Sequence, residues 1–186
     1  MTPADLAPQM ASLVGTWRPF DASDERMRAS FDRHFAGGAG PMDRDAGPDH
    51  ATASALVFDE SLERTLLVSH RKGGFWVQPG GHLAPGDASI RDAALRELRE
   101  ETGAAAQRLL DAYDLDHHAL GFRFGRCASH LDVGVAVIAD AEDGLVLSDE
   151  SEDVAWFALD ALPDVLADGC EARLRRMRER ILSTSN

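Results

Sequence analysis

The sequence predicts an α/β fold, a mixed sheet held between helices, with a helical arm ahead of it. Three observations carry this. Short apolar runs, Ala51 to Phe58, Thr65 to Ser69, Asp132 to Ala139 and Val154 to Phe157, read as strands. Between them, Ile90, Ala94 and Leu98 recur at a spacing of four, with Ala93 and Leu95 beside them, which is the stripe of an amphipathic helix. The length of 186 residues suits one domain with an appendage and is enough to bury a real core.

The elements follow in chain order. Residues 3 to 14 and 24 to 36 read as helices, and Met27, Phe31 and Phe35 form an apolar stripe that must dock, either on the domain that follows or on a second copy. Gly37 to Asp49 holds four glycines and two prolines and reads as a linker. Residues 1–45 are therefore an N-terminal helical arm and linker, and residues 46–186 the main domain with its C-terminal helix. The first two strands join through Asp59-Glu60-Ser61, and Phe75 to Val77 is a short third. After the helix, His118 to Phe124 is expected as a strand, and the segments 159–166 and 171–182 as helices. Residues 37–50, 105–118 and 140–152 are expected as loops that set specificity.

Composition bounds the function. Lys+Arg 19 against Asp+Glu 32 gives a formal charge of −13, which disfavours non-specific binding to nucleic acid or an anionic membrane. A phosphorylated substrate would have to be met by local cations and metal. The two cysteines, Cys127 and Cys170, and the lack of a signal-like or membrane-length apolar run suit a reducing cytoplasm. Each cysteine reads as a small buried residue.

The stretch Arg96-Glu97-Leu98-Arg99-Glu100-Glu101-Thr102-Gly103 is the most informative in the chain. Glu97 lies three residues from Glu100 and four from Glu101, so all three carboxylates share one side of the helix. Like charges at that spacing repel unless a cation sits among them, and carboxylate oxygens suit Mg²⁺ or Mn²⁺. Asp87 or Ser89 is the expected N-cap, and Gly103 the expected left-handed stop. Upstream, Gln78-Pro79-Gly80-Gly81-His82-Leu83-Ala84-Pro85-Gly86-Asp87 is a loop whose backbone can approach a ligand closely. A glutamate-rich helix face is ordinarily just solvated. The glycine loop leading into an ordered Arg-Glu…Glu-Glu-x-Gly string favours the metal.

These residues resemble the Nudix hydrolase family, whose pattern is a glycine, five residues, Glu, seven residues, then Arg-Glu-apolar-x-Glu-Glu-x-Gly-apolar. The second half matches from Arg96 through Ala104. The first half departs from it: five residues after Gly81 comes Asp87 rather than Glu, and eight residues separate Asp87 from Arg96. With the flanking strands the resemblance extends over roughly residues 50 to 165. It implies an α/β/α sandwich and hydrolysis of a phosphoanhydride with Mg²⁺, or Mn²⁺, as cofactor. It also implies that Glu97, Glu100 and Glu101 share the metal, that Arg96 orients a glutamate, and that the Gly81 carbonyl is a further candidate ligand. The general base is a box glutamate or one from an acidic loop such as Ser148 to Asp153, with Glu150 the first choice and Glu152 the second. That run reads equally as a solvated loop.

Other residues stay open. His82 follows the Gly-Gly pair, and His117, His118, His130 and Asp132 cluster later, with His130 and Asp132 on one face of a strand. His82, His118, His130 and Asp132 could bind a second metal or the substrate phosphates, whereas a single histidine of this kind is usually ordinary. Arg71 ends a strand before Gly73-Gly74 and either holds a terminal phosphate or caps a solvated hairpin. Trp76 either stacks on a base or covers the core, and Trp156 reads as core. Gly80, Gly81, His82, Arg71 and Trp76 are thus the candidate substrate contacts.

Three functions compete. The leading one is a metal-dependent hydrolase of a nucleoside diphosphate linked to another group, or of a related nucleotide. The second is isomerisation of isopentenyl-diphosphate type, which shares the fold but needs a catalytic cysteine and a set of metal-binding histidines. No match surrounds Cys127. The third is a non-catalytic nucleotide-sensing domain, which would typically have lost box glutamates. The expected partner is a phosphorylated small molecule, with homodimerisation through the arm as the alternative use of its apolar stripe.

Overall fold

The structure is a computed structural model and describes residues 1–35, 40–121, 125–141, 144–148 and 151–184. The arm consists of a 3-10 turn at Pro3–Leu6, α1 (Ala7–Thr16) and α2 (Ala22–Phe35). The strands are β1 (Asp49–Phe58), β2 (Arg64–His70), β3 (Phe75–Val77), β4 (Gly80–His82), β5 (Ala106–Ala119), β6 (Ser129–Ala139) and β7 (Ser151–Ala158). Two more helices are α3 (Ile90–Thr102) and α4 (Cys170–Thr184). The sheet is mixed and runs β3-β2-β1-β6-β5, with β4 paired to β1 and β7 to β2.

The chain divides into two compact units. The first comprises residues 1–53, 81–93 and 114–134. Here the arm docks on its own chain. Phe31 and Phe35 are buried, with Met10, Val14 and Trp17 from the preceding helix and turn. The Met27 sulfur accepts the His117 backbone N–H. Gln9 accepts the N–H of Ile90, and the Met1 carbonyl accepts that of Gly86.

The second unit, residues 54–80, 94–113 and 135–186, is an α/β/α sandwich in its own right. Alternation along β1 sends Leu56 and Phe58 to one face and Ala55 and Val57 to the other. Leu56 and Phe58 pack with Leu67, Ile138 and the α4 side chains Leu174, Met177 and Ile181. Ala55 and Val57 pack with Leu66, Val137 and Leu98 of α3. Burying each such side chain contributes about 1.5–3 kcal/mol. β7 aligns antiparallel along β2 from Arg64↔Ala158 to His70↔Ser151.

Four expectations are corrected. Residues 159–166 are not a helix: Pro163 carries no N–H, and the backbone instead bonds to Trp76 from Val165 and Ala167. Residues 105–118, expected as a loop, lie almost wholly in β5. This strand ends the sheet order, where its polar residues, which hid the pattern, are tolerated on an edge. The strand expected at 118–124 accordingly ends at Ala119, and residues 122–124 lie outside the described residues. Within the Gly-rich segment read as a loop, Gly80–His82 pairs as a short strand.

Candidate functional site

The helix α3 is set by its ends and its buried stripe. Ser89 is the N-cap: its hydroxyl accepts the Asp92 N–H at 3.0 Å and donates to the Asp92 carboxylate at 2.8 Å. Gly103 ends it at φ +70°, and a Cβ there would lie 2.9 Å from Val146, so glycine is needed twice over. Ile90, Ala93, Ala94 and Leu98 are fully buried, which turns the glutamate face away from the core.

On that face Arg96 bridges two carboxylates, with Nη1 2.8 Å from Glu97 Oε1 and 2.9 Å from Glu100 Oε2. Glu100 is the open member, its side chain 59% exposed against 14% for Glu97. Glu101 is buried, and its Oε2 accepts the Gly80 N–H at 2.9 Å. Gly80 can reach it because it runs against Ser54: a Cβ on Gly80 would come within 2.4 Å of the Ser54 hydroxyl. The three carboxylates are an all-oxygen donor set of the kind Mg²⁺ or Mn²⁺ takes. By donor chemistry the residues suit the ion that the sequence pattern implies, while their oxygens are not drawn together as the histidine group's donor atoms are.

The histidines converge in the other unit. Among the described residues, the group whose potential ligand atoms all lie within 4.8 Å of one another is His50, His82, Cys127 and His130. His82 and His130 were expected there. His50 and Cys127 were not, because they come from the first residues of β1 and from a turn, with no local pattern to mark them. The His50 and His82 Nε2 atoms are 3.0 Å apart, and His50 Nδ1 lies 3.1 Å from the Gly47 carbonyl. The His130 ring centroid is 5.1 Å from that of His50 and 5.2 Å from that of His82. Its Nε2 is buried without a hydrogen-bond partner. Burial first, then Arg44 and His50, pushes His82 down to about 4. Burial, then His82 and His118, pushes His130 down to about 3, against a smaller upward pull from Asp132. Both are thus neutral near pH 7.

The remaining candidates are placed as follows. His118 lies beside this group, its ring 5.6 Å from that of His130 and its Nδ1 2.6 Å from Asp116. Asp132 is buried and accepts the Thr52 hydroxyl at 2.7 Å. His117 is turned to the arm instead, between Ser30 and Ser129. Asp87 closes its own turn by accepting the Ala84 N–H at 2.7 Å. Arg71 spends one donor on the Ser151 carbonyl at 3.1 Å. Trp76 packs edge-on against Phe157 at 4.8 Å, among core residues. Glu152 is exposed, and Glu150 lies outside the described residues.

Comparison with known proteins agrees with this architecture. A family model, the NUDIX domain, matches residues 48–179. The chain belongs to the Nudix family. Over 104 residues it is 28% identical to the asymmetrical bis(5′-nucleosyl)-tetraphosphatase of Rattus norvegicus, covering 56% of this chain and 69% of that protein. Over 108 residues it is 31% identical to the mRNA-decapping enzyme subunit 2 of Arabidopsis thaliana, covering 58% of this chain but only 28% of that protein. The crystal structure of the MutT NUDIX hydrolase from Burkholderia pseudomallei superposes with a TM-score of 0.53 at 25% identity, covering 68% of this chain and 96% of that one.

Proposed function

We propose that this protein is a divalent-metal-dependent hydrolase cleaving a phosphoanhydride bond in a nucleoside diphosphate linked to another group, or in a related nucleotide. The carrying observation is the arrangement on α3, where Arg96 holds Glu97 and Glu100 while Gly80 holds Glu101. The nucleotide substrate class draws support from the rat relative, whose name gives it a dinucleoside polyphosphate.

Glu97, Glu100 and Glu101 would hold Mg²⁺ or Mn²⁺, which when bound polarises phosphoryl oxygens and lowers the pKa of coordinated water. The protein's own contribution is to fix the carboxylates. Arg96 offsets the repulsion between Glu97 and Glu100 and sets their direction. The Gly80 N–H orients Glu101, and the Gly81 carbonyl is a further candidate ligand. The proton of the attacking water goes to a carboxylate, either a box glutamate or Glu150 of the acidic loop, with Glu152 as the substitute. Arg71, with four of its five N–H donors beyond the Ser151 bond, is assigned to a terminal phosphate. The net charge of −13 supports a small-molecule substrate over nucleic acid or membrane, and two free cysteines support a cytoplasmic location. We assign residues 1–45 to the arm and the remainder to the hydrolase domain.

The test is a phosphate-release screen in Mg²⁺ and in Mn²⁺, coupled to phosphatase where needed. The panel covers nucleoside triphosphates, ADP-ribose, dinucleoside polyphosphates, NADH and sugar nucleotides. A strong hit lost in Glu101→Gln supports the hydrolase and names its substrate class. Nucleotide binding without turnover across the panel would replace it with a sensing domain.

A further inference from the structure

We propose that His50, His82, Cys127 and His130 form a closed, four-coordinate site for a zinc-class divalent ion, which fastens three segments of the first unit. The segments are the start of β1 (His50), the strand β4 (His82) and the turn leading into β6 together with its start (Cys127 and His130). This goes beyond the hydrolase reading and does not rest on it, since the donors are nitrogen and sulfur rather than carboxylate oxygen.

The four potential ligand atoms lie within 4.8 Å of one another, close to what one small ion needs. A Zn²⁺ ion with bonds of about 2.0–2.1 Å to nitrogen sets neighbouring nitrogens about 3.3 Å apart. The His50 and His82 nitrogens are already at 3.0 Å, and the other donors need to move by about an ångström or less. The tautomers agree. With His50 Nδ1–H donating to the Gly47 carbonyl, His50 Nε2 carries its lone pair inward, so the short contact is made by a proton on His82 Nε2. A metal takes that proton's place while His82 shifts to its Nδ1–H tautomer and stays neutral, and binding releases the Cys127 thiol proton to solvent. His130 has a buried Nε2 for which the described structure offers no hydrogen bond. Burying such a nitrogen costs free energy unless something coordinates it. Neutral imidazoles are also the ligand form. Charge closes as well: the Cys127 thiolate and the nearby Asp132 carboxylate offset a divalent ion, Asp132 being fixed by Thr52 rather than serving as a ligand.

Because four protein donors fill the shell, the ion is structural and has no open position for water. His82 follows Gly81, so fixing His82 fixes the backbone of the Gly-Gly pair.

The test uses the full chain, purified without a polyhistidine tag. Metal analysis after dialysis should find one zinc per chain. Replacement by Co²⁺ should give the intense visible bands of tetrahedral cobalt and a thiolate charge-transfer band, and Cys127→Ser should lose the charge-transfer band. Thiol titration gives a reading on the unaltered protein: Cys127 should be protected in the loaded form and react after strong chelation, while Cys170 stays buried in both. Loss of zinc in His130→Ala together with a normal circular dichroism spectrum would fit the same site. Substoichiometric zinc in the wild type, an octahedral cobalt spectrum, or a charge-transfer band that survives Cys127→Ser would overturn it.

Discussion

The glutamates of α3 and the histidine–cysteine group of the first unit are built in opposite ways. The glutamates sit within five consecutive residues of one helix, where the 3.6-residue repeat alone brings them together. The histidines and the cysteine come from four positions spread over 81 residues, from His50 to His130, and only tertiary structure brings them together. A site on one element can tolerate much change elsewhere, whereas a site shared by several segments reports on whether those segments are docked. Metal affinity should differ in the same sense: a few carboxylates hold a hard ion loosely, and a closed nitrogen–sulfur set holds its ion tightly.

The largest effect should come from the glutamates. Glu101→Gln keeps an oxygen for the Gly80 N–H but removes the charge, so turnover should fall roughly 10²-fold or more, the scale of losing one group that acts on the transition state. Thermal stability should change little. Near-normal turnover in both Glu101→Gln and Glu97→Gln would remove the metal assignment from α3.

Brief treatment with EDTA sharpens the contrast next. Activity should vanish and return with Mg²⁺ or Mn²⁺ alone, before any zinc held by the histidine group has left. If recovery needs zinc as well, the two sites are not separable in affinity and the difference drawn above fails.

How much of each site could be read in advance follows from this construction. The box was legible because its spacing is local: Ile90, Ala94 and Leu98 define the helix, and Glu97, Glu100 and Glu101 fall on one face of it. Ser89 and Gly103 were legible for the same reason, as cap and stop. His82 drew attention by following the Gly-Gly pair, and His130 by sharing a strand face with Asp132. His50 and Cys127 carried no signal, since a histidine where a strand begins and a cysteine in a turn have no periodicity to betray them. Among the elements, the strand runs of β1 and β2 announced themselves by apolar content. β5 did not, because Gln107, Arg108, Asp111, Asp114 and Asp116 interrupt its pattern. The helix expected over 159–166 does not form, because Pro163 interrupts it.

Gly80→Ala should give a middling effect and ties backbone approach to function. The added methyl meets both the hydroxyl and the backbone of Ser54, so β4 must shift or the core must give. Overpacking of this kind costs about 1–3 kcal/mol, and it should lower the melting temperature and displace the N–H that holds Glu101. A calorimetric scan alongside a turnover assay separates the two. Full activity at reduced stability would mean that Glu101 does not need the Gly80 bond.

The smallest expected effect lies in how the arm is fastened to the first unit. His117 sits in a hydrogen-bonded chain: the Ser30 hydroxyl donates to its Nδ1 at 2.6 Å, its Nε2–H donates to Ser129 at 2.8 Å, and Ser129 donates to Asp49 at 2.6 Å. That chain needs the imidazole neutral, because a proton on Nδ1 would face the Ser30 hydroxyl donor. Burial first, then the neighbouring His34, holds His117 below the ordinary histidine value, against opposing pulls from Asp49 and Asp116. The sign follows from linkage. In the unfolded chain the group takes up its proton near pH 6.5, while in the folded protein it resists until a lower pH, so the unfolded state binds more protons in between. Its stabilisation is therefore fully present above about pH 6.5 and declines as pH falls toward the lowered folded value. Melting temperatures measured from pH 8 to pH 5 should fall more steeply for the wild type than for His117→Gln, which cannot titrate. Parallel slopes would show that titration of His117 does not contribute to how the arm is held.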